Sequence, residues 1–477
     1  MDNIVLPQAY AVTGHTDFVG PGSTFVAISG SRANGLSYIP QALQKGASKI
    51  VIERGVSLDN VTHQLVKQYK ASVEVVDDTR AALAELSARS LGYPAKKLKI
   101  IGVTGTKGKT SSSYMIYHML RTLGKKVALS TTVEKLIDDC PVRMALTTPL
   151  PDQLHVFFNE CVRQEIEYVV LEVSAQALSL HRVDGITFAA GLFTNFSMEH
   201  MEFYSDMNEY FKAKSLLVSR VKDPSYMLIN IDDQYGRELK KLYPLCSSFS
   251  FEDKGSMVYG WSHVAEQGIV LHVKVSEKTY MFQSLLLGKF NAYNLLGALS
   301  VIHALGLDLQ DLMLSMTSLK MIPGRMEQYL LKNQARVFID YAHNPSSFEA
   351  VLSTLRHMTK HLIVVFGAGG CRDKQKRPMM GAIAQKYCDI VVLTSDNPRD
   401  EDPIDIIHDI EQGIVSDSVE LYRELNRTKA IELSYTLSHP KSIIAVLGKG
   451  RDEYQIVGDL TFPFKERSII KKFILEQ

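Results

Sequence analysis

The texture of apolar and polar positions changes twice along the chain. Over residues 1–88, short runs rich in β-branched residues, STFVAIS (23–29), SKIVIE (48–53) and SVEVV (72–76), read as strands, and YIPQALQKG (38–46) reads as a helix between the first two. A second section, 89–322, begins with KKLKIIGV and alternates the apolar runs KKVALS, EYVVLEVS and GLFTNFS with segments of helical spacing, the pattern of βαβ units. Near its end, period-two alternation over residues 257–287 predicts a small antiparallel insert. The Pro323-Gly324 pair in MIPGRMEQ reads as a hinge opening a third section, 323–477. There ARVFID, HLIVVFG, DIVVLTS and SIIAVLG are continuous apolar runs separated by helix-length segments, which suits a parallel sheet covered on both faces. The expected fold class is α/β in three domains: a small N-terminal α/β domain, a central, mostly parallel sheet and a C-terminal Rossmann-like α/β domain.

The polar punctuation follows the apolar runs. After LKIIGV comes TGTKGKTSSS, then helically spaced YMIYHMLRTLG. Strand, glycine-rich turn and helix start is the geometry in which backbone N–H groups and a helix N-terminus hold anionic oxygens. Strict P-loop spacing fails, because Val103 stands where its first glycine belongs. The pattern is Gly102-x-x-Gly105-x-x-Gly108-Lys109-Thr110. It still makes the central section P-loop ATPase-like: Lys109 is placed to neutralise β/γ-phosphates and the Thr110 hydroxyl to ligand Mg2+. In the third section DYAHNP, GAGGCRDK, SDNPRDEDP and GKGRDEYQ each follow a predicted strand, and ligands of open α/β sheets gather beyond strand carboxyl ends. Ordinary reversal loops would be rich in Gly, Asn and Pro without needing Arg and Asp at each one.

Composition narrows the classes. A chain of 477 residues implies more than one domain, and 45% hydrophobic with 22% charged residues is ordinary for a globular protein. A formal net charge of +1 gives no electrostatic ground for nucleic acid or a membrane surface. There is no run long and apolar enough for a spanning helix and no secretory pattern at the start, so a cytoplasmic protein is expected. Five scattered cysteines without metal-ligand spacing agree with that compartment.

Several side chains are candidates for chemistry. Glu172 ends YVVLE and His200 lies in TNFSMEH; a carboxylate and an imidazole beside a phosphate loop could hold a divalent metal, or each could be an ordinary surface group. Lys214 has Tyr210, Leu217 and Val218 at helical spacing, an apolar stripe where a lysine must snorkel, pair or be modified. CRDKQKRP is either a solvated cationic face or an anion site in which Arg372 reads a carboxylate. DNPR (396–399) offers both charge signs, which suits an amino acid, and equally suits an Asx-Pro turn opening the helix at EDPIDIIHDI. GAGGCR lacks the last glycine of the dinucleotide fingerprint, which argues against dinucleotide redox chemistry.

Ten motifs, TGTKGKT, LTTP, LEVSAQALSLHRV, TNFSMEH, YFKAKSLL, GKFNAYN, PGRME, DYAHNP, DNPR and GKGRDEYQ, stand in an order that resembles the Mur ligase family along nearly the whole chain. Within it the chain is most similar to the UDP-N-acetylmuramoyl-tripeptide synthetases, the MurE type. The resemblance implies ATP-dependent addition of a diamino acid to UDP-MurNAc-L-Ala-D-Glu through an acyl phosphate, in peptidoglycan precursor synthesis by a cytoplasmic monomer. It implies that the first domain binds UDP, and that Gly105, Thr106, Lys107, Gly108, Lys109, Thr110 and Ser111 wrap the ATP phosphates. Thr110 and Glu172 would serve one Mg2+, and His200 with Lys214, as its CO2-derived carbamate, a second. Asn291, Arg325, Asp340 and His343 match positions around the nucleotide. Thr16, Thr147, Thr148, Ser174 and Arg182 match the UDP-sugar-peptide site, and Arg372, Asp396, Asn397, Pro398, Arg399, Gly448 and Asp452 the amino-acid site.

The family's members differ in the amino acid they add. DNPR is similar to the signature of enzymes adding meso-diaminopimelate, whose distal carboxylate calls for an arginine such as Arg399. GTKGKT and Gln176 look like L-lysine types, and Asp452 stands where the diaminopimelate type shows Glu after His. Arg399 is the more diagnostic, since both amino acids carry an ammonium at the other end, so meso-diaminopimelate is expected. Departures from the family pattern fall at GHTDFVGPG around Thr16, at Leu180 beside Arg182, and at Cys371 beside Arg372. Other readings are a superfamily ligase acting on folate or adding alanyl-alanine, against which DNPR argues, and a nucleotide switch or partner-binding protein that has lost ligation.

Overall fold

The computed structural model describes residues 4–30, 34–144, 146–199, 203–319, 321–416 and 418–474. The chain clusters into two compact units, one of Met1–Gly260, Val273–Tyr280 and Asn294–Met313, the other of Trp261–His272, Met281–Tyr293 and Leu314–Gln477.

The first unit holds two sheets. Strands β1 (Val12–Thr13), β2 (Thr24–Val26), β3 (Lys49–Glu53) and β4 (Ser72–Val76) pair in that order, all parallel. Helices α1 (Ile39–Gln44), α2 (Asn60–Gln68) and α3 (Thr79–Ser90) accompany them. Successive strand residues face opposite sides, so Phe25, Ile50 and Ile52 join one cluster with Ile39 and Leu43, while Val26 and Val51 join another with Leu83.

The larger sheet takes β5 (Lys99–Thr104), β6 (Val127–Ser130), β7 (Lys135–Ile137), β8 (Cys140–Val142), β9 (Tyr168–Glu172), β10 (Ala190–Phe193), β11 (Met227–Asn230) and β12 (Ser247–Ser250). Their order is β12-β11-β10-β5-β9-β6-β7-β8, parallel from β12 to β6 and antiparallel thereafter. Helices α4 (Lys109–Thr122), α5 (Pro151–Arg163), α6 (Ala175–Ser179), α7 (Met207–Ser215) and α8 (Gln234–Leu242) lie between them in sequence. Every residue of β6, β9, β10 and β11 is buried, as a sheet covered on both faces requires. Where the insert was expected, β13 (Val258–Ala265), β14 (Gly268–Val275) and β15 (Lys278–Ser284) form, their residues divided between the two units. Helix α9 (Lys289–Ala304) follows.

The sheet of the second unit has β16 (Glu327–Leu330), β17 (Arg336–Asp340), β18 (Leu362–Phe366), β19 (Ile390–Leu393), β20 (Glu420–Arg423) and β21 (Ile443–Leu447) in the order β16-β17-β21-β18-β19-β20, parallel except for β16. Helices α10 (Pro345–Arg356), α11 (Lys376–Tyr387), α12 (Pro403–Glu411) and α13 (Arg427–Leu437) alternate with the strands, and the hairpin β22 (Tyr454–Val457) with β23 (Leu460–Pro463) precedes α14 (Glu466–Ile470). Alternate residues again divide: Phe338, Val364, Val391 and Ala445 pack on one side, Val337, Val365, Val392 and Val446 on the other. Registers level the strand ends, with Asp340 opposite Leu447 and Phe366 opposite Leu393, so the loops that follow emerge along one edge. Among the described residues no helix is long and apolar enough to cross a membrane.

Candidate active site

Strand β5 ends at Thr104, and residues 105–108 turn the chain into α4. Gly105 has φ +139°, and a Cβ there would lie 2.0 Å from Thr194 Oγ1, so no larger residue fits. Gly108 caps the fourteen-residue helix. Because Thr104 registers beside Phe193, the segment after β10 reaches the turn and clamps it. Thr106 N donates to Asn195 O at 2.9 Å and Lys107 N to Asn195 Oδ1 at 2.9 Å. Thr194 Oγ1 and Asn195 Nδ2 donate to Lys107 O at 2.6 and 3.0 Å. Ser111 is buried in the helix's first turn. The cations of this turn rest on backbone: Lys109 Nζ donates to Gly105 O at 3.1 Å and Thr106 O at 2.9 Å, and Lys214 Nζ to Gly105 O at 2.7 Å. A clamped turn with the Lys109 ammonium at a helix N-terminus can seat phosphate oxygens. Burial lowers the Lys107 pKa to about 8, against the pull of Glu199.

Lys214 is the most unusual of these groups. Helix α7 ends at Ser215, one turn short of the apolar stripe's length, yet Tyr210, Leu217 and Val218 are all buried around it. Its Nζ lies 4.5 Å from the centre of the Tyr210 ring. Burial, then the charge of Lys109, drive its pKa well below the ordinary lysine range, against Glu199 and Glu172. Its side chain therefore tends toward the neutral amine.

Glu172, at the end of β9, gathers neighbouring loops. Thr110 Oγ1 donates to its Oε2 at 3.0 Å, as does Thr132 N at 3.0 Å, and Thr132 Oγ1 donates to Oε1 at 3.1 Å. Hydroxyl and carboxylate oxygens are the hard donors that Mg2+ prefers, so this pair fits one such ion. His200 lies outside the described residues; among those described, no cluster of three or more His, Cys, Asp or Glu could hold a metal. The LTTP loop joins the same centre. Thr148 Oγ1 donates to Glu172 O at 2.8 Å, Ser174 N donates to Thr148 Oγ1 at 3.1 Å, and the Thr147 and Thr132 hydroxyl oxygens lie 3.0 Å apart. Ser174 also caps α6. Arg182 NH1 donates to Thr148 O at 3.1 Å, while its buried Nε has no partner among the described residues. Burial, then nearby Arg80, push its pKa down, so an anion beside it would be stabilised. Thr16 bonds elsewhere: its carbonyl accepts from Lys45 Nζ at 2.9 Å within the small sheet's own loops.

In the second unit the polar loops brace one another. Asp340 Oδ2 accepts from Met326 N at 2.7 Å and Oδ1 from Ala342 N at 2.8 Å, which ties the PGRME turn to DYAH. Arg325 stacks on the Tyr341 ring at 4.8 Å, and His343 Nδ1 lies 2.9 Å from Tyr341 O. Asn291, on the first turn of α9, donates from Nδ2 to Leu287 O at 2.8 Å. In DNPR, Arg399 has φ +53°, a conformation a non-glycine residue holds only when its surroundings demand it. They do: its N donates to Ile456 O at 3.2 Å, its carbonyl accepts from Gly458 N at 2.8 Å, and NH1 donates to Gly370 O at 2.7 Å. Pro398 O accepts from Glu401 N at 3.1 Å. A Cβ on Gly369 would lie 3.1 Å from Arg399 NH1 and 3.6 Å from Arg372 Cγ, so the two arginines flank one spot. Asp452 is pushed up to about 6, first by burial and also by Asp396, against Lys449 and Arg325.

Two expectations change in detail. The CRDKQKRP cations are not one face: Arg372 is exposed, but Arg377 is fully buried, bonding Glu401 at 2.9 and 3.0 Å and Asp409 at 2.8 Å. Nor does DNPR itself open the next helix; Asp402 caps α12, one residue before Pro403. Sequence reasoning passed over Thr132, the buried Lys135 whose Nζ donates to Thr131 O at 2.8 Å, Arg80, and Lys449, which is buried between DNPR and the start of β22. The signal for Lys449 is a lysine one residue beyond an apolar strand, in the same GKGRDEYQ motif as Gly448 and Asp452.

Three family models match consecutive stretches: Mur ligase family, catalytic domain, over residues 10–90; Mur ligase middle domain, over 103–302; and Mur ligase, glutamate ligase domain, over 324–450. The UDP-N-acetylmuramoyl-L-alanyl-D-glutamate–2,6-diaminopimelate ligase of Caldanaerobacter subterraneus subsp. tengcongensis is 35% identical over 459 residues, covering 96% of this chain and 92% of that protein. Ligase 1 of the same name from Clostridium acetobutylicum is 37% identical over 476 residues, covering 95% and 92%. A solved structure of a ligase of that name superposes with a TM-score of 0.66 at 27% identity, over 97% of this chain and 94% of the other.

Proposed function

This chain belongs to the Mur ligase family, and we propose that it joins meso-diaminopimelate to UDP-MurNAc-L-Ala-D-Glu in an ATP-dependent ligation of peptidoglycan precursor synthesis. The observation that carries this is the match, along nearly the whole chain, to relatives named for that reaction. Arg399, held at positive φ beside Arg372, supports the choice of an amino acid with a distal carboxylate.

The chemistry follows from the substrates. A carboxylate resists an amine, because its charge repels the nucleophile and oxide is a poor leaving group. A carboxylate oxygen of UDP-MurNAc-L-Ala-D-Glu attacks the γ-phosphorus of ATP; a P–O bond forms, the bond to the β-phosphate oxygen breaks, and ADP leaves. The neutral amine of the amino acid then attacks the acyl carbon. A C–N bond forms, the amine gives up a proton, and the bond to phosphate breaks, leaving amide and inorganic phosphate. The 105–111 turn with Lys107 and Lys109 holds the ATP phosphates, and Thr148, Ser174 and Arg182 hold the acidic end of the acceptor. Thr110 and Glu172 would hold Mg2+, which neutralises charge on the transferred phosphoryl group. Lys214 as an uncharged amine can add CO2, forming an N–C bond and losing a proton; the carbamate replaces a buried amine by hard oxygen donors, and His200 would complete that second site. The three sections 1–88, 89–322 and 323–477 act as the acceptor, ATP and amino-acid domains of a cytoplasmic monomer.

Phosphate release and product mass with ATP and UDP-MurNAc-L-Ala-D-Glu, without amino acid and with meso-diaminopimelate or L-lysine, test the reading. Release and an amide only with meso-diaminopimelate are expected. Release indifferent to the amino acid points to a nucleotide switch, and an amide only with L-lysine overturns the substrate choice. A carbamate carbon resonance in protein equilibrated with 13C-bicarbonate, lost in Lys214→Ala, tests the modification.

A further inference from the structure

We propose that Lys449 is a positioning residue of the amino-acid seat, fixing Asn397 and Asp396 so that DNPR presents an N–H donor beside a carboxylate to the zwitterionic end of the diamino acid. This rests on the function proposed above and names the group that sets its geometry.

Lys449 follows β21 and is 1% exposed. Burying an ammonium is costly unless each of its hydrogens finds an acceptor. Here three acceptors surround it: Asn397 Oδ1 at 2.8 Å, Tyr454 O at 2.9 Å and Asp396 Oδ1 at 3.4 Å. Asn397 Oδ1 also accepts from Ile456 N at 3.0 Å. With both lone pairs of that oxygen used, the amide cannot turn over, and Nδ2 becomes the end that donates to a ligand.

Asp396 is fixed by the same ammonium. Its other oxygen lies against Gly448, where a Cβ would come within 2.7 Å at φ +113°, so a side chain at 448 would displace the carboxylate. Gln455 Nε2 holds the Asp396 carbonyl at 2.7 Å. Burial favours the neutral acid, but Lys449 and, behind it, Arg427 outweigh burial and keep Asp396 ionised. A carboxylate that accepts and an amide that donates, adjacent and rigid, match the ammonium and carboxylate of one amino-acid centre.

Two variants test this by steady-state kinetics with each substrate varied in turn. Asn397→Asp keeps an acceptor for Lys449 and Ile456 N but replaces the outward donor by an acceptor. It is expected to raise KM for meso-diaminopimelate about 10- to 100-fold, with KM for ATP and for UDP-MurNAc-L-Ala-D-Glu and the melting temperature unchanged. Lys449→Met, which keeps an unbranched apolar side chain but loses the Nζ that lies 5.8 Å from the centre of the Phe464 ring, is expected to give the same selective rise. An unchanged amino-acid KM in Asn397→Asp, or equal shifts in all three KM values in Lys449→Met, would overturn the proposal. Should Lys449→Met fail to fold, Lys449→Gln, which keeps a donor for Asn397 Oδ1 but carries no charge for Asp396, takes its place, with the same selective rise expected and an unchanged amino-acid KM overturning the proposal. If the wild-type protein makes no amide, the functional reading fails first; if it does and the variants match it, only this inference fails.

Discussion

The phosphate-type turn of the first unit and the DNPR region of the second both collect cations, but they balance them differently. In the first, Lys109 and Lys214 rest on the carbonyl of Gly105, and burial pulls the pKa values of Lys107 and Lys214 down. In the second, the buried cations have built-in anions: Arg377 with Glu401 and Asp409, Arg427 with Glu466, and Lys449 with Asp396. Backbone dipoles solvate an ammonium without cancelling its charge, whereas a carboxylate cancels it. The Lys109 charge at the turn is thus left for a polyanion to neutralise, whereas the buried cations of the second region are neutralised within the fold.

The sharpest way to break this contrast is Glu172→Gln, which removes the anion that would pair with a metal while keeping its size. Phosphate release should fall about 1,000-fold, with the amino-acid KM unchanged; a small loss would make the Thr110–Glu172 contact merely structural. Next, Arg377→Met should leave Glu401 and Asp409 without their buried partner and destabilise the protein by about 3–5 kcal/mol, read by denaturant unfolding. Lys107→Met, its counterpart in the first site, should shift stability by no more than about 1 kcal/mol, the loss of its attraction to Glu199 being offset by the relief of a desolvated ammonium. Arg399→Ala should cost about 2 kcal/mol or more in amino-acid binding, a rise in KM of roughly 30-fold, with ATP kinetics untouched.

The smallest effect concerns pH. The Asp452 pKa is raised to about 6 in the folded chain, so the native state binds this proton more tightly than the unfolded state does. Its contribution to stability is present at low pH and is lost as pH rises through 6. Asp452→Asn should therefore melt higher than wild type at pH 8, with the gap closing below pH 6, and the wild-type amino-acid KM should rise as pH falls through that range. A gap independent of pH would remove Asp452 from this account.

Period-two and continuous apolar runs were enough to find the strands that carry the loops, because β9, β18, β19 and β21 are buried on both faces and their composition reports it directly. Strands such as β1, β7 and β8, only two or three residues long, left no pattern to read. At the site, residues with unusual chemistry for their place, Lys109, Glu172, Lys214 and Arg399, were legible. Thr132 and Lys449 were not, because their roles come from which loops meet. Arg377 looked like its neighbours in a charged run, and only the pairing of loop with helix separates the buried member from the exposed ones.

The sheet of the second unit keeps its apolar side chains in two layers along the strand bodies, while the polar loops DYAHNP, GAGGCRDK, SDNPRDEDP and GKGRDEYQ hang from strand tips. That separation makes selectivity an editable property. Residues 398 and 399 can be varied without disturbing either layer, provided Asp396 and Asn397 stay on the buried Lys449 and Glu401 keeps its clasp on Arg377. Diversification among ligases built this way can proceed by rewriting tips on an inherited frame.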